Sequence, residues 1–388
     1  MRLDIVSALY GLEPGGAEIS TRLLVQELKS LKVDVEVISS RKEALEQPAG
    51  AVLPGIHIIP TPVILNGSNR ITDWWFRREF IKRWLVRKPD VVLIEDHMSI
   101  VGAVEAVEAL RGRGQKIILA LTQMWEVDPE FFLRYRPLYM SVPTVYRFNV
   151  ANRLARRMDF INAATPYIRS RLVARFGVNY NKCHVIHTVG LPQTDVPNTD
   201  GYTEPLIIAP GRMNPEKGSF FFLDVVERIA LHRRDFRAMF LGGGPYEKLI
   251  RKQINRRKLS DVCFVTGKIP YREFLSLYRS ARVIALPIMY PCAYTRVALE
   301  SLGAGKPIVT FDQGSMPDIV INGETGYRTP PHSVEPFASA CERFLDDPSL
   351  SIKMAVNCQN TAKKFGDISD ATRSLVKQLN ALVLKGSE

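Results

Sequence analysis

Residues 282–327 decide the fold. They read Arg282-Val-Ile-Ala-Leu-Pro287-Ile, then Met289-Tyr-Pro-Cys292-Ala-Tyr-Thr295-Arg-Val-Ala-Leu-Glu300-Ser-Leu-Gly-Ala-Gly305-Lys-Pro-Ile-Val-Thr-Phe311, and on to Asn322-Gly-Glu-Thr-Gly326-Tyr327. A short apolar run ending at Pro287 has the look of a buried strand, and an irregular loop follows it. A helix carrying Glu300 stops at Gly303 or Gly305, and a second strand, 306–311, begins at once. Strand, helix, strand in that order places the loop and the helix N-terminus at the C-terminal edge of a parallel sheet. Open α/β sheets bind ligands at that edge. The free N–H groups and positive dipole end of the helix favour an anion there.

The rest of the chain repeats the pattern. Apolar runs at 2–9, 33–39, 57–59, 91–95, 116–121, 159–163 and 182–187 alternate with helical segments, the first of them 17–31. Residues 191–205, rich in Pro, Gly, Asn and Asp, read as a linker. Alternation restarts with runs at 206–209, 237–241 and 263–266. The expectation is two doubly wound parallel α/β domains, covering 1–192 and 193–370, with 371–388 as a final helix. A chain of 388 residues suits two domains better than one.

Composition narrows the function. The net charge of +12 is spread over both halves, with 26 basic and 21 acidic side chains in 1–200 and 26 and 19 in 201–388. That distribution, with no recognised motif, argues against nucleic acid. No apolar run is long enough to span a bilayer, and the N-terminal residues do not read as a signal peptide. Five scattered cysteines without metal-ligand spacing point to free thiols in a reducing cytosol.

The stretch 282–327 resembles the retaining glycosyltransferases of family 4, which have the GT-B fold. The matching residues are Leu286-Pro287, Val297-Ala298-Leu299-Glu300, Gly305-Lys306-Pro307-Ile308-Val309 and Asn322 to Gly326. A second match is Pro210-Gly211-Arg212-Met213-Asn214-Pro215-Glu216-Lys217-Gly218. The resemblance implies two Rossmann-like domains facing across a cleft, with the final helix returning to the first. It implies transfer of a sugar from a nucleoside-diphosphate sugar to a glycan, lipid-linked or small-molecule acceptor, with retention of configuration and no metal or other cofactor. It places Arg212 and Lys217 on the donor diphosphate, where two cations stabilise the charge that grows as the glycosidic bond breaks. It places Glu300 on the ribose hydroxyls, and Gly211, Gly243, Lys268, Thr295 and the loop Gly15-Gly16 beside the donor.

Two positions depart from the family pattern. Eight residues before Glu300, where relatives carry a glutamate that contacts the transferred sugar, stands Cys292. A thiol cannot replace a carboxylate as an acceptor. The alternatives are an unusual donor sugar, compensation by Tyr290, Tyr294 or Arg296, or lost catalysis with retained nucleotide-sugar binding. At the end of the 116–121 strand, Thr122 or Gln123 takes the place of a histidine. Glu95, Asp96 and His97 end the neighbouring strand, and with Gln123 and Trp125 they are candidates for acceptor binding, His97 also for proton transfer. The aromatic and basic segment 74–88 groups Phe76, Phe80, Ile81, Trp84 and Leu85 on one face. It suits either peripheral contact with an anionic membrane, at the inner face of a cytoplasmic membrane, or ordinary packing on the sheet.

Overall fold

The structure, a computed structural model, describes residues 1–7, 16–39, 56–59, 70–97, 99–123, 127–135, 138–188, 205–365 and 368–386. The chain forms two compact units, Met1–Gly190 with Asp367–Glu388, and Leu191–Gly366.

In the first unit the strands are β1 (Arg2–Val6), β2 (Asp34–Ser39), β3 (Ile56–Ile58), β4 (Val91–Ile94), β5 (Ile118–Gln123), β6 (Phe160–Ala163) and β7 (Cys183–Val185). The helices between them are α1 (Gly16–Ser30), α2 (Arg70–Arg87), α3 (Ile100–Arg111), α4 (Phe132–Tyr135), α5 (Leu138–Leu154) and α6 (Pro166–Phe176). The strands form one parallel sheet in the order β3-β2-β1-β4-β5-β6-β7. Its central strands are apolar on both faces because helices cover both; Val91, Val92, Leu93 and Ile94 are all buried. Local chemistry fixes the helix ends. In α6 the Thr165 hydroxyl accepts from the Ile168 N–H at 3.1 Å, Pro166 supplies a pre-set φ, and Gly177 ends the helix at φ 65°.

The second unit contains β8 (Leu206–Pro210), β9 (Arg237–Leu241), β10 (Cys263–Val265), β11 (Val283–Leu286), β12 (Ile308–Phe311) and β13 (Gly326–Thr329). Their parallel order is β10-β9-β8-β11-β12-β13. The helices are α7 (Ser219–Ala230), α8 (Glu247–Arg256), α9 (Tyr271–Ser280), α10 (Arg296–Gly303), α11 (Val334–Asp346) and α12 (Pro348–Lys364). Sequence reasoning missed β13, where Gly326 at φ 150° brings the backbone against Ile308 so closely that a Cβ would lie 1.8 Å from its carbonyl oxygen. No side chain larger than hydrogen fits there.

Helix α13 (Ile368–Lys385) belongs to the first unit. Ala371, Leu375 and Leu379 join the core made by Leu3, Ile5, Leu24, Leu28, Val35 and Val91. The Ser369 hydroxyl donates to Glu27 at 2.6 Å. Full burial of Leu375 and Leu379 contributes about 1.5–3 kcal/mol each.

The segment 74–88 lies within α2 apart from its last residue. Phe76, Phe80 and Trp84 point into the unit, stacked on one another with centroid distances of 5.5 and 4.9 Å. Leu85 is instead exposed, which corrects the single apolar face expected from the sequence. Trp84 turns inward because its indole N–H donates to buried Asp4 at 3.0 Å. Solvent meets a different stripe, Ile71, Trp74, Arg78, Lys82 and Leu85. Among the described residues, no helix is long and apolar enough to cross a membrane.

Candidate nucleotide-sugar site

Strand order reverses once in each sheet, between β1 and β4 in the first unit and between β8 and β11 in the second. Helices leave in opposite directions on the two sides of such a point, opening a crevice at the C-terminal ends of the strands. Among the described residues, most of the candidates from the sequence lie on the loops and helices that follow the strands at or next to these two places.

In the second unit the loop after β8 carries Gly211, Arg212, Asn214 and Lys217. Asn214 accepts from the Lys217 N–H at 2.9 Å, and Pro215 starts a single tight turn, 215–217. Gly218 follows at φ 74°, where a Cβ would meet the Pro287 carbonyl oxygen at 1.9 Å. The Met289 N–H donates to the Glu216 carbonyl at 3.0 Å. The loops after β8 and β11 are therefore one construction. Lys217 reaches across it, its Nζ 3.2 Å from the Tyr290 hydroxyl and 5.3 Å from the centre of that ring. Arg212 is exposed.

Glycines after β9 support the same loop. The Met213 N–H donates to the Gly243 carbonyl at 2.9 Å. A Cβ on Gly244 would sit 2.6 Å from Met213 N and O, and one on Gly242, at φ 128°, 2.6 Å from Gly211 O. Gly243 lies beside the backbone of exposed Lys268. Three strand ends, β8, β9 and β11, thus hold the cationic loop by backbone contacts that only glycine permits.

Glu300 is 3% exposed. Tyr271 donates to its Oε1 at 2.6 Å and Tyr278 to its Oε2 at 3.5 Å, while Arg296 Nε stands 3.8 Å away. Burial raises its pKa above the usual carboxylate range, opposed by those three neighbours. The tyrosines were missed from sequence. Their signal was the spacing of Tyr271, Phe274 and Tyr278 along α9, which gives one aromatic face. Thr295 is the N-cap residue of α10, and its buried hydroxyl makes no hydrogen bond among the described residues.

Cys292 is buried in the loop before α10. Gly314, at φ 60°, packs so closely that a Cβ there would lie 2.5 Å from Cys292 N, and the Ser315 N–H donates to Cys292 O at 2.9 Å. Of the three candidates to compensate for it, Tyr294 donates to Asp318 at 3.0 Å and Arg296 faces Glu300. Tyr290 meets Lys217. The other four cysteines are buried and free. Burial pushes the Cys183 thiol up to about 11 and those of Cys263 and Cys358 up to about 12. Such thiols stay protonated and inert near neutrality.

In the first unit Gly16 opens α1 after β1, while Gly15 and Trp125 lie outside the described residues. Ile94 pairs with Leu121, so Glu95 to His97 emerge beside Thr122 and the backbone of Gln123. Glu95 is buried and accepts from the Thr21 hydroxyl at 2.7 Å, a bond that bridges the β1/β4 switch point. Burial pushes its pKa up to about 7. Asp96 accepts from Ser99 N and Oγ at 2.9 and 2.7 Å, which secures the entry to α3. His97 packs on Phe148 at 4.3 Å, and Arg147, paired with Asp73 at 3.0 Å, donates to its carbonyl at 2.9 Å. Burial lowers the His97 pKa, which favours neutral imidazole. Thr122 is fully buried, and among the described residues its hydroxyl has no hydrogen-bond partner.

Two family models match this chain. The one described as Glycosyltransferase Family 4 covers residues 14–189, and Glycosyl transferases group 1 covers 196–365. The chain belongs to the glycosyltransferases of the GT-B fold. It is similar to D-inositol 3-phosphate glycosyltransferase of Streptomyces avermitilis, at 22% identity over 91% of this chain and 80% of that protein. It is also similar to alpha-D-kanosaminyltransferase of Streptomyces kanamyceticus, at 29% identity over 39% of each chain. Among solved structures, UDP-bound Anabaena Alr3699/HepE matches with TM-score 0.77, at 17% identity, over 98% of this chain and 100% of that one. Sucrose-phosphate synthase from Thermosynechococcus elongatus matches with TM-score 0.78, at 18% identity, over 98% and 100%.

Proposed function

We propose that this chain transfers a sugar from a nucleoside-diphosphate sugar to a glycan, lipid-linked or small-molecule acceptor. In this reading configuration is retained and no metal takes part. The observation that carries it is the cationic loop with Arg212 and Lys217, held at the β8/β11 switch point and facing no carboxylate partner in the described residues. A departing diphosphate gains charge as its bond to the sugar breaks, and fixed cations stabilise that state more than the bound donor. Glu300 takes the ribose hydroxyls. Its oxygens each keep a free lone-pair site after accepting from Tyr271 and Tyr278. The UDP and UDP-glucose complexes of Anabaena Alr3699/HepE favour a uridine nucleotide.

The first unit supplies the acceptor side in this proposal. His97, whose burial favours the neutral imidazole, and Glu95, whose pKa burial raises to about 7, suit hydroxyl groups better than anions. The exposed stripe Ile71, Trp74, Arg78, Lys82 and Leu85 would bring a cytoplasmic enzyme to an anionic inner membrane face when the acceptor is lipid-linked. Flotation with anionic liposomes that leaves the protein at the bottom of the gradient removes this membrane contact.

Mass-spectrometric detection of released nucleoside diphosphate, from a panel of UDP-, GDP- and ADP-sugars with a membrane extract as acceptor source, tests the assignment. Release from one donor, reduced about 10²–10³-fold in Lys217→Ala, is expected. Equal release by wild type and variant overturns the role of Lys217. No release from any donor, with nucleotide still raising Tm, favours a binding protein that has lost catalysis at Cys292.

A further inference from the structure

The motif Gly305-Lys306-Pro307 lies away from the ligand edge. It enters β12 at the opposite, N-terminal edge of the second unit's sheet, beside Arg282, which enters β11. A cavity of about 290 Å³ opens between these two strand entrances and the face of α12. Its lining includes Arg279, Arg282, Lys306, Ser280 and Gln359, and no acidic residue. Gly305, at φ 71°, forms part of the wall. A Cβ there would come within 3.3 Å of the Gln359 amide.

The charges in this cavity differ from those elsewhere in the same unit. Arg228 pairs with Glu335, Arg233 with Asp235 and Asp346, Arg251 with Glu247, and Arg257 with Asp224 and Glu227. Among the described residues, Arg279, Arg282 and Lys306 have no ion-pair or hydrogen-bond partner for their charged heads. Three like charges brought together without a counter-charge repel one another, and part burial strengthens the repulsion. Burial, then Arg282 and Arg279, lowers the Lys306 pKa. An anion seated among them would relieve that repulsion.

We propose that this cavity binds a small phosphate-bearing molecule, held by Arg279, Arg282 and Lys306, at a site separate from the donor site. Two guanidinium forks match tetrahedral phosphate oxygens in a bidentate way, which an ammonium alone does not. The neutral amide of Gln359 suits the remaining oxygens or a hydroxylated body. The volume lies at the small end of the usual range for ligand pockets, about 300–1,000 Å³, and leaves room beyond a single phosphate. Backbone N–H groups contribute little, since those of Ala304, Gly305 and Lys306 already donate to Glu300, Leu302 and Ser301. Recognition therefore rests on side chains that can be changed one at a time.

Calorimetry and thermal melts of the full chain with inorganic phosphate and pyrophosphate test this. Binding should weaken roughly tenfold or more in Arg282→Gln and in Arg279→Gln, and by a smaller but measurable factor in Arg282→Lys, which keeps the charge and loses the fork. It should persist in Lys217→Ala, which removes a cation from the donor loop. Without ligand, Arg282→Gln should melt no lower than wild type, because a repelling charge has gone. Phosphate binding abolished in Lys217→Ala but intact in Arg282→Gln overturns the proposal, as does no response to either anion at millimolar concentration. Vesicles of phosphatidylglycerol separate the two sources of the group. Flotation lost in Arg282→Gln identifies a lipid headgroup, and soluble binding without flotation identifies a free phosphorylated molecule.

Discussion

The two switch points share a topology and differ in chemistry. At β8/β11, glycines at 211, 218, 242 and 244 let three loops interlock, and the side chains displayed are Arg212 and Lys217. At β1/β4 the crossing contact is a hydrogen bond between Thr21 and a buried carboxyl, Glu95. One edge is a rigid backbone cradle with cations, suited to an anion whose charge changes. The other edge gathers the titratable groups Glu95, Asp96 and His97, which the proposed function gives to the acceptor. On the proposed reading one fold serves two tasks through what emerges from its strand ends, in line with the view that function lives in sites carried by folds.

The largest effect that would break this contrast comes from Gly218→Ala. The added methyl would lie 1.9 Å from a carbonyl oxygen at φ 74°, so the loop must move. We expect donor turnover to fall about 10²–10³-fold, as in Lys217→Ala, with a stability loss of about 2 kcal/mol or more. Steady-state kinetics with urea unfolding would register both, and unchanged kcat/KM would separate the loop from the chemistry. Leu379→Ala should cost about 2–5 kcal/mol in the first unit alone. Calorimetry should show one transition lowered and the nucleotide-responsive one left in place; a joint shift would mean that the two units melt together.

A smaller effect is one of pH. The Glu95 pKa is raised from 4.5 to about 7 in the folded unit. Between those values the folded state binds more protons than the unfolded state, so stability falls as pH rises through this window and levels off above it. Glu95→Gln should flatten this slope, leaving a residual part from Asp4, raised to about 6. The gain above pH 7 should be of the order of 1 kcal/mol, and an unaltered slope would assign the dependence to another group. Smallest is Asn214→Ala, which removes the cap on the turn before Lys217 and should cost about 1 kcal/mol, seen as a small loss in Tm and a few-fold loss in kcat/KM.

The second unit was more legible in the sequence than the first, for a physical reason. A backbone cradle demands glycines at fixed positions, and Gly211, Gly218 and the run 242–244 print that demand directly into the sequence. Alternating apolar runs likewise exposed most strands, since strands covered on both faces admit little else. Strand β13 was hidden because its short run, Gly326 to Thr329, is polar enough to read as loop. Contacts between side chains distant in sequence left no trace: Thr21 with Glu95, Lys217 with Tyr290, Tyr278 with Glu300. The single apolar face expected for α2 breaks at Leu85 because helix periodicity shows an apolar face but not its width.

The helix Ile368–Lys385 sets an order for synthesis. Its leucines complete the core of the first unit, and Ser369 meets Glu27 across 342 residues of chain. The first unit therefore cannot close until translation has passed the entire second one. Until then its sheet waits with an apolar gap open to the ribosome surface and to chaperones, while the second unit, continuous in sequence, is free to fold ahead of it. The half that begins first finishes last.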